Sequence, residues 1–111
     1  MRAGLCGLVG SALVLASLSA HAVPDGERLA KQNKCLACHQ IDKRRVGPAY
    51  QSIASKYANQ ADAEQKLIQS IRQGSQKRWG AIPMPAQTHV SPEESEEIAR
   101  WILSLRDAEK D

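Results

Sequence analysis

The five residues Cys35-Leu36-Ala37-Cys38-His39 form a C-x-x-C-H run, the spacing that reads as attachment of a c-type haem. Cysteines three positions apart lie on one side of a helical turn, so both thiols can reach the two vinyl groups along one haem edge. The adjacent His39 is then delivered beneath the iron. A cysteine pair has other readings: a thioredoxin-like redox couple, half of a zinc site, or chance. The redox couple follows a strand in an α/β pattern, and no segment here sustains the two-residue alternation of a strand. A zinc site wants a second ligand pair, and beyond residue 22 the only other histidine is His89, with no cysteine near it.

Iron bound on one side by His39 has a second face to fill. Of the two methionines, one begins the chain and the other is Met84. Met84 stands in Ile82-Pro83-Met84-Pro85, where the prolines fix φ on either side and push Ile82 and Met84 toward extended backbone. A lone methionine usually fills a core gap. Here the stiffened loop and the distance in sequence from His39 point instead to an axial thioether, the Met/His pair that raises a haem's potential. Two strong ligands leave iron no open position, so the expected role is electron transfer and not catalysis.

Outward from this constellation, the chain begins with Met1-Arg2, continues through an apolar run from Leu5 to Leu18, and reaches Ala20-His21-Ala22, an A-x-A processing site. This order reads as a secretory signal peptide over residues 1–22, leaving residues 23–111 as one domain. The apolar run is shorter than the ~20 residues of a spanning helix, which argues against an uncleaved anchor. Cys6 precedes the run, so it does not mark a lipid-anchored terminus. Removing the leader takes only Arg2 from a formal charge of +3, a balance too small to argue for nucleic acid. The remaining domain has no phenylalanine; a domain of this size often needs a cofactor to complete its core. A disulfide between Cys35 and Cys38 would close a loop too short to stabilise the fold appreciably.

The domain reads as helices and loops. Asp25 is a candidate cap for a helix over residues 26–34 that leads straight into the cysteine pair. Residues 50–57 and 62–73 are further helices, the second carrying Leu67, Ile68 and Ile71 on one face before Gly74. Gly80, Pro83 and Pro85 make residues 74–90 an irregular loop. Ser91-Pro92-Glu93-Glu94 then combines a cap, a proline at the first helical position and a capping-box glutamate, followed by an apolar stripe at Ile98, Trp101, Ile102 and Leu105. There is no internal repeat and no second-domain linker.

Four stretches carry a family likeness: Cys35 to His39, Val46-Gly47-Pro48-Ala49-Tyr50, Trp79-Gly80-Ala81-Ile82-Pro83-Met84-Pro85, and Trp101-Ile102-Leu103-Ser104. Together the sequence resembles the small bacterial class I monohaem cytochromes c of the five-fifty-one type, over essentially the whole of residues 23–111. The resemblance implies an all-α class I cytochrome c fold, four to five short helices around one covalently bound haem c with its iron, with the terminal helices crossing. It implies a soluble periplasmic electron carrier working as a monomer between periplasmic or membrane-bound redox proteins. It also implies that the Pro48 carbonyl accepts the Nδ1 proton of His39 and that Trp79 turns its indole N–H to a haem propionate. Trp101 is assigned to packing between the terminal helices. Relatives commonly carry a basic residue at the position of Ser70, beside a propionate; here either Arg72 replaces it or that propionate is more exposed.

If Met84 does not ligate, the alternatives are a five-coordinate gas sensor or a peroxidase-like subunit. A haem-free binding module is the third reading. A cytochrome c prime would carry its C-x-x-C-H near the C-terminus of a longer bundle. Basic clusters at Lys43-Arg44-Arg45 and Lys77-Arg78 oppose acidic residues at Glu93 to Glu97, Asp107, Glu109 and Asp111. This arrangement suits docking to an acidic surface.

Overall fold

The structure is a computed structural model that describes residues 3–4, 7, 9–10, 12–17 and 25–106. Among these described residues there are four α-helices, α1 (Asp25–Gln32), α2 (Tyr50–Tyr57), α3 (Ala63–Gln73) and α4 (Pro92–Ser104), with a short 3₁₀ turn over Cys35–Ala37. Among the described residues there is no strand, only an isolated antiparallel bridge between Ser75 and Met84. The fold is the all-α arrangement expected. No helix among the described residues is long and apolar enough to cross a membrane. The proposed processing site at residues 20–22, Cys6, Val23, and the acidic tail residues Asp107, Glu109 and Asp111 lie outside the described residues.

Helix boundaries differ from expectation at the cysteine pair. The expected helix over 26–34 stops at Gln32, because Asn33 turns its side-chain amide back onto the Leu29 carbonyl at 3.0 Å and Lys34 adopts a left-handed φ of 61°. The chain is redirected there, and Cys35 begins a tighter 3₁₀ turn. Side chains three apart eclipse in that geometry, so Cys35 and Cys38 share a side more closely than on an α-helix. Asp25 opens α1 rather than preceding it, and its carboxylate pairs with Arg28 at 3.2 Å. Asp62 precedes α3 without capping it; its carboxylate goes to Lys66 at 3.1 Å.

Helix α4 is the element against which the others pack, touching α1, α2 and α3. Its start is fixed by a reciprocal capping box: Glu94 N–H donates to Ser91 Oγ at 3.1 Å and Ser91 N–H donates to Glu94 Oε2 at 3.0 Å. Its apolar stripe delivers Ile98, Trp101 and Ile102 to the core, at 1, 6 and 4 % exposure. Truncating a residue buried like Ile98 to alanine costs about 2–5 kcal/mol. Where α1 crosses α4, Gly26 is buried, and a Cβ there would collide with the Trp101 Cβ and the Glu97 carbonyl oxygen. Trp101 therefore packs between the terminal helices, while Leu67 and Ile71 of α3 and Tyr50, Ile53 and Tyr57 of α2 complete the core.

Candidate functional site

The core is not filled. Between the segment 34–50, the loop 75–87 and the inner faces of α2, α3 and α4 lies a cleft of about 1130 Å³, its mouth included. Its inner wall is apolar, with Ile53, Leu67, Ile71, Ile98 and Ile102 among the lining residues. The large apolar group missing from the composition has a place here.

The structure brings the six residues singled out in the sequence, Cys35, Cys38, His39, Pro48, Trp79 and Met84, to this one cleft. Cys35 and Cys38 are free thiols, the first partly buried and the second exposed. Burial pushes the Cys35 thiol above its usual value, and a nearby Tyr50 hydroxyl works against that rise. His39 is buried, and its Nδ1 lies 2.8 Å from the Pro48 carbonyl oxygen. A carbonyl can only accept, so Nδ1 carries the proton and Nε2 keeps its lone pair, the form an imidazole needs to bind a metal.

The His39 ring is held on further sides. Tyr50 stacks on it with ring centroids 5.2 Å apart and planes 20° from parallel, and Trp101 meets Tyr50 edge-on at 5.1 Å. Gly47 lies against it so closely that a Cβ would fall 2.5 Å from His39 Cε1 and 2.9 Å from Nδ1. The Gly47 N–H donates to the Cys38 carbonyl at 2.8 Å, tying this loop to the cysteine turn. Tyr50 Oη is buried without an aligned hydrogen-bond partner, and burial raises its phenol far above the ordinary range. An orphaned hydroxyl beside Cys35 marks a wall whose facing group is absent from the protein itself.

Met84 is presented by a loop that is braced although irregular. Its N–H and carbonyl pair with Ser75 at 2.9 and 3.0 Å, and the Gln87 N–H donates to the Ile71 carbonyl at 2.8 Å. Gly74, with φ at 79°, permits this pairing, since a Cβ there would sit 2.6 Å from the Met84 carbonyl oxygen. His89 is exposed, outside the cleft lining, with its Nε2 3.3 Å from the Asn33 carbonyl oxygen. Trp79 lies under the Lys56 ammonium, 4.3 Å from ring centre to Nζ.

Arg72 does not stand in for a base at position 70: it is exposed and absent from the cleft lining, whereas Arg78 lines the cleft and donates to Ser70 Oγ at 3.0 Å. Sequence reasoning missed this contact, and it missed Lys56 entirely. Neither carries a signal in the sequence beyond its charge.

These features suit a haem. The apolar cleft matches a macrocycle, paired thiols stand beside a histidine with a free Nε2, and a thioether donor lies in the same lining. Among the described residues no three His, Cys, Asp or Glu side chains converge on a bare ion. The fold and site define a small class I cytochrome c. A cytochrome c family model matches residues 23–106. The chain is 51% identical over 82 residues to cytochrome c-551 of Pseudomonas aeruginosa, covering 74% of this chain and 78% of that one. It is 45% identical to cytochrome c-552 of Hydrogenobacter thermophilus, covering 72% and 81%. The crystal structure of wild-type Nitrosomonas europaea cytochrome c552 superposes with a TM-score of 0.71 at 46% identity, over 72% of this chain and 99% of that one. The chain belongs to the cytochrome c family, and it is a haem c electron-transfer protein rather than an enzyme.

Proposed function

We propose that this chain is exported to the periplasm, loses residues 1–22, and works there as a monomer, with residues 23–111 carrying single electrons between periplasmic or membrane-bound redox proteins. In this reading Cys35 and Cys38 form the thioethers, His39 and Met84 are the axial ligands, and Pro48 and Trp79 support the pocket. When bound, the haem iron supplies the one-electron couple.

The observation that carries the reading is the convergence of both thiols, the imidazole and the only thioether after residue 1 on one apolar cleft. The Pro48 carbonyl holds the His39 proton on Nδ1 and so fixes the ring that presents Nε2. The Ser75 pairing and the flanking prolines hold Met84 with little conformational freedom left to lose. Ile53, Leu67, Ile71, Ile98 and Ile102 exclude water from the inner wall, which disfavours added positive charge and raises the potential. Export is supported by the order of the leader's features, and by Val9, Leu13, Val14 and Leu15, which are at least 85 % exposed and contribute nothing to the core.

Intact mass after acid–acetone extraction tests the reading. The expected product starts at or next to Val23 and retains one haem. Haem that separates from the polypeptide defeats the thioether assignment, and a retained residue 1–22 segment defeats the processing assignment.

A further inference from the structure

The cleft lining contains four cations, Lys34, Arg44, Lys77 and Arg78, and no carboxylate. A lining of one sign suits an occupant that brings negative charge. The cations are not equivalent. Arg44 donates to the Trp79 carbonyl oxygen at 3.0 Å. Arg78 spends one donor on a neutral acceptor, Ser70 Oγ at 3.0 Å, and no carboxylate among the described residues pairs with it. A guanidinium has five N–H donors, so most of its capacity is uncommitted. Ser70 Oγ donates its own proton to the Lys66 carbonyl at 2.9 Å, which leaves its lone pairs turned to Arg78.

The loop constrains Arg78 from both ends. Lys77 before it has a left-handed φ of 58°, a conformation unfavourable for a residue with a Cβ. The Arg78 carbonyl accepts from Lys56 Nζ at 3.0 Å, and the same ammonium lies over the Trp79 ring. Arg44 and Lys56 thus bring positive charge to Trp79 from two other segments, beside Lys77 and Arg78 of its own loop, and the only polar side chain α3 lends the cleft lining is the neutral Ser70. An anion entering at this point relieves repulsion among several cations at once.

Resting on the haem-carrier reading above, we infer that Arg78, reaching in from the loop, is the counter-charge for a haem propionate at the Ser70 edge of the cleft. Ser70 is then a positioning residue, holding the guanidinium ready by one hydrogen bond.

The test is the reduction potential of the haem-loaded protein against pH, from about pH 5 to 8, for the parent, Arg78→Gln, Arg78→Lys and Arg72→Gln. An adjacent cation lowers a carboxyl's pKa by about one to three units. In Arg78→Gln the pH at which the potential starts to climb on acidification moves up by at least about one unit, equivalent to a tenfold rise in proton affinity. At the alkaline end its potential lies below the parent's, because positive charge has been removed beside the haem. Arg78→Lys restores most of the parental curve, and Arg72→Gln superposes on it. An Arg78→Gln curve parallel to the parent's, or an Arg72→Gln curve with the same displacement, overturns the assignment while leaving the haem reading intact. Protein lacking covalent haem and a one-electron wave overturns both.

Discussion

Arg44 reaches across 35 positions of sequence to donate a hydrogen bond to the Trp79 carbonyl oxygen, 3.0 Å away. Two basic runs that look separate in the sequence, 43–45 and 77–78, are joined by that contact into one rim. The exposed apolar side chains Val46 and Ile82 and the exposed Cys38 line the same cleft. On α4, Arg100 lies 2.7 to 3.3 Å from carboxylate oxygens of Glu96 and Glu97 on the same helix and of Glu64 on α3. One guanidinium offsets only one of those three carboxylates, and Glu93 and Glu94 add to them, so a net negative patch on α4 opposes the basic rim.

That rim predicts electrostatic steering toward an acidic partner. Arg44, Lys77 and Arg78 line the cleft and are poor probes, since changing them alters the site itself. Exposed Lys43 and Arg45 are better ones. Reversing both to glutamate should slow bimolecular electron transfer about tenfold or more at low salt, with the potential unchanged. The parent's rate should fall with added salt as screening shortens to ~8–10 Å. Stopped-flow rates with the natural partner that ignore both salt and charge reversal would assign docking to Val46 and Ile82.

Met84→Ala should open one axial position in the haem-loaded protein, admitting carbon monoxide or cyanide and lowering the potential. His89 is the one other imidazole in the described residues that could take over, but it lies outside the cleft beside the Asn33 carbonyl. The double variant Met84→Ala/His89→Ala should therefore bind the same ligands with the same spectrum as the single one. Persistence of the parent's low-spin spectrum and red-region sulfur-to-iron band in Met84→Ala would remove Met84 from the site.

Gly47→Ala asks whether the loop beneath His39 tolerates any side chain. The new Cβ would fall 2.5 Å from His39 Cε1, against a ring already fixed by Pro48 and Tyr50. The expected cost is about 1–3 kcal/mol of overpacking, read as a lower denaturant midpoint in the haem-loaded protein. A variant with the parental midpoint would show that the loop can yield.

Tyr50→Phe should be nearly silent or mildly stabilising. The hydroxyl is buried without an aligned partner, so its removal relieves a desolvation cost and keeps both ring contacts. A stability loss above ~1 kcal/mol in chemical denaturation would mean that the hydroxyl finds a partner once the haem is bound.

The fold was legible where local rules act alone. Ser91 to Glu94 announces a helix start by side-chain chemistry confined to four residues, and the α4 stripe repeats at a helical period, so both appear in the structure as they read. The turn into the cysteines was not legible, because Lys34 takes a left-handed conformation that its side chain does not advertise. Membership of the cleft could be read for Cys35 and His39 from their spacing and for Met84 from its prolines. Arg78 on Ser70 and Lys56 over Trp79 are meetings of distant segments whose sequences say only that a charge is present.

The crossing at Gly26 ties the beginning of the domain to its end, and the helix that makes the crossing also supplies Ile98 and Ile102 to the cleft. One wall of the site is thus incomplete wherever α4 is not packed against α1. The seat of Gly26 against Trp101 lies outside the cleft, yet any side chain that pushed α1 away from α4 there would shift the wall that Ile98 and Ile102 form, so a position far from the thiols governs the shape of the site.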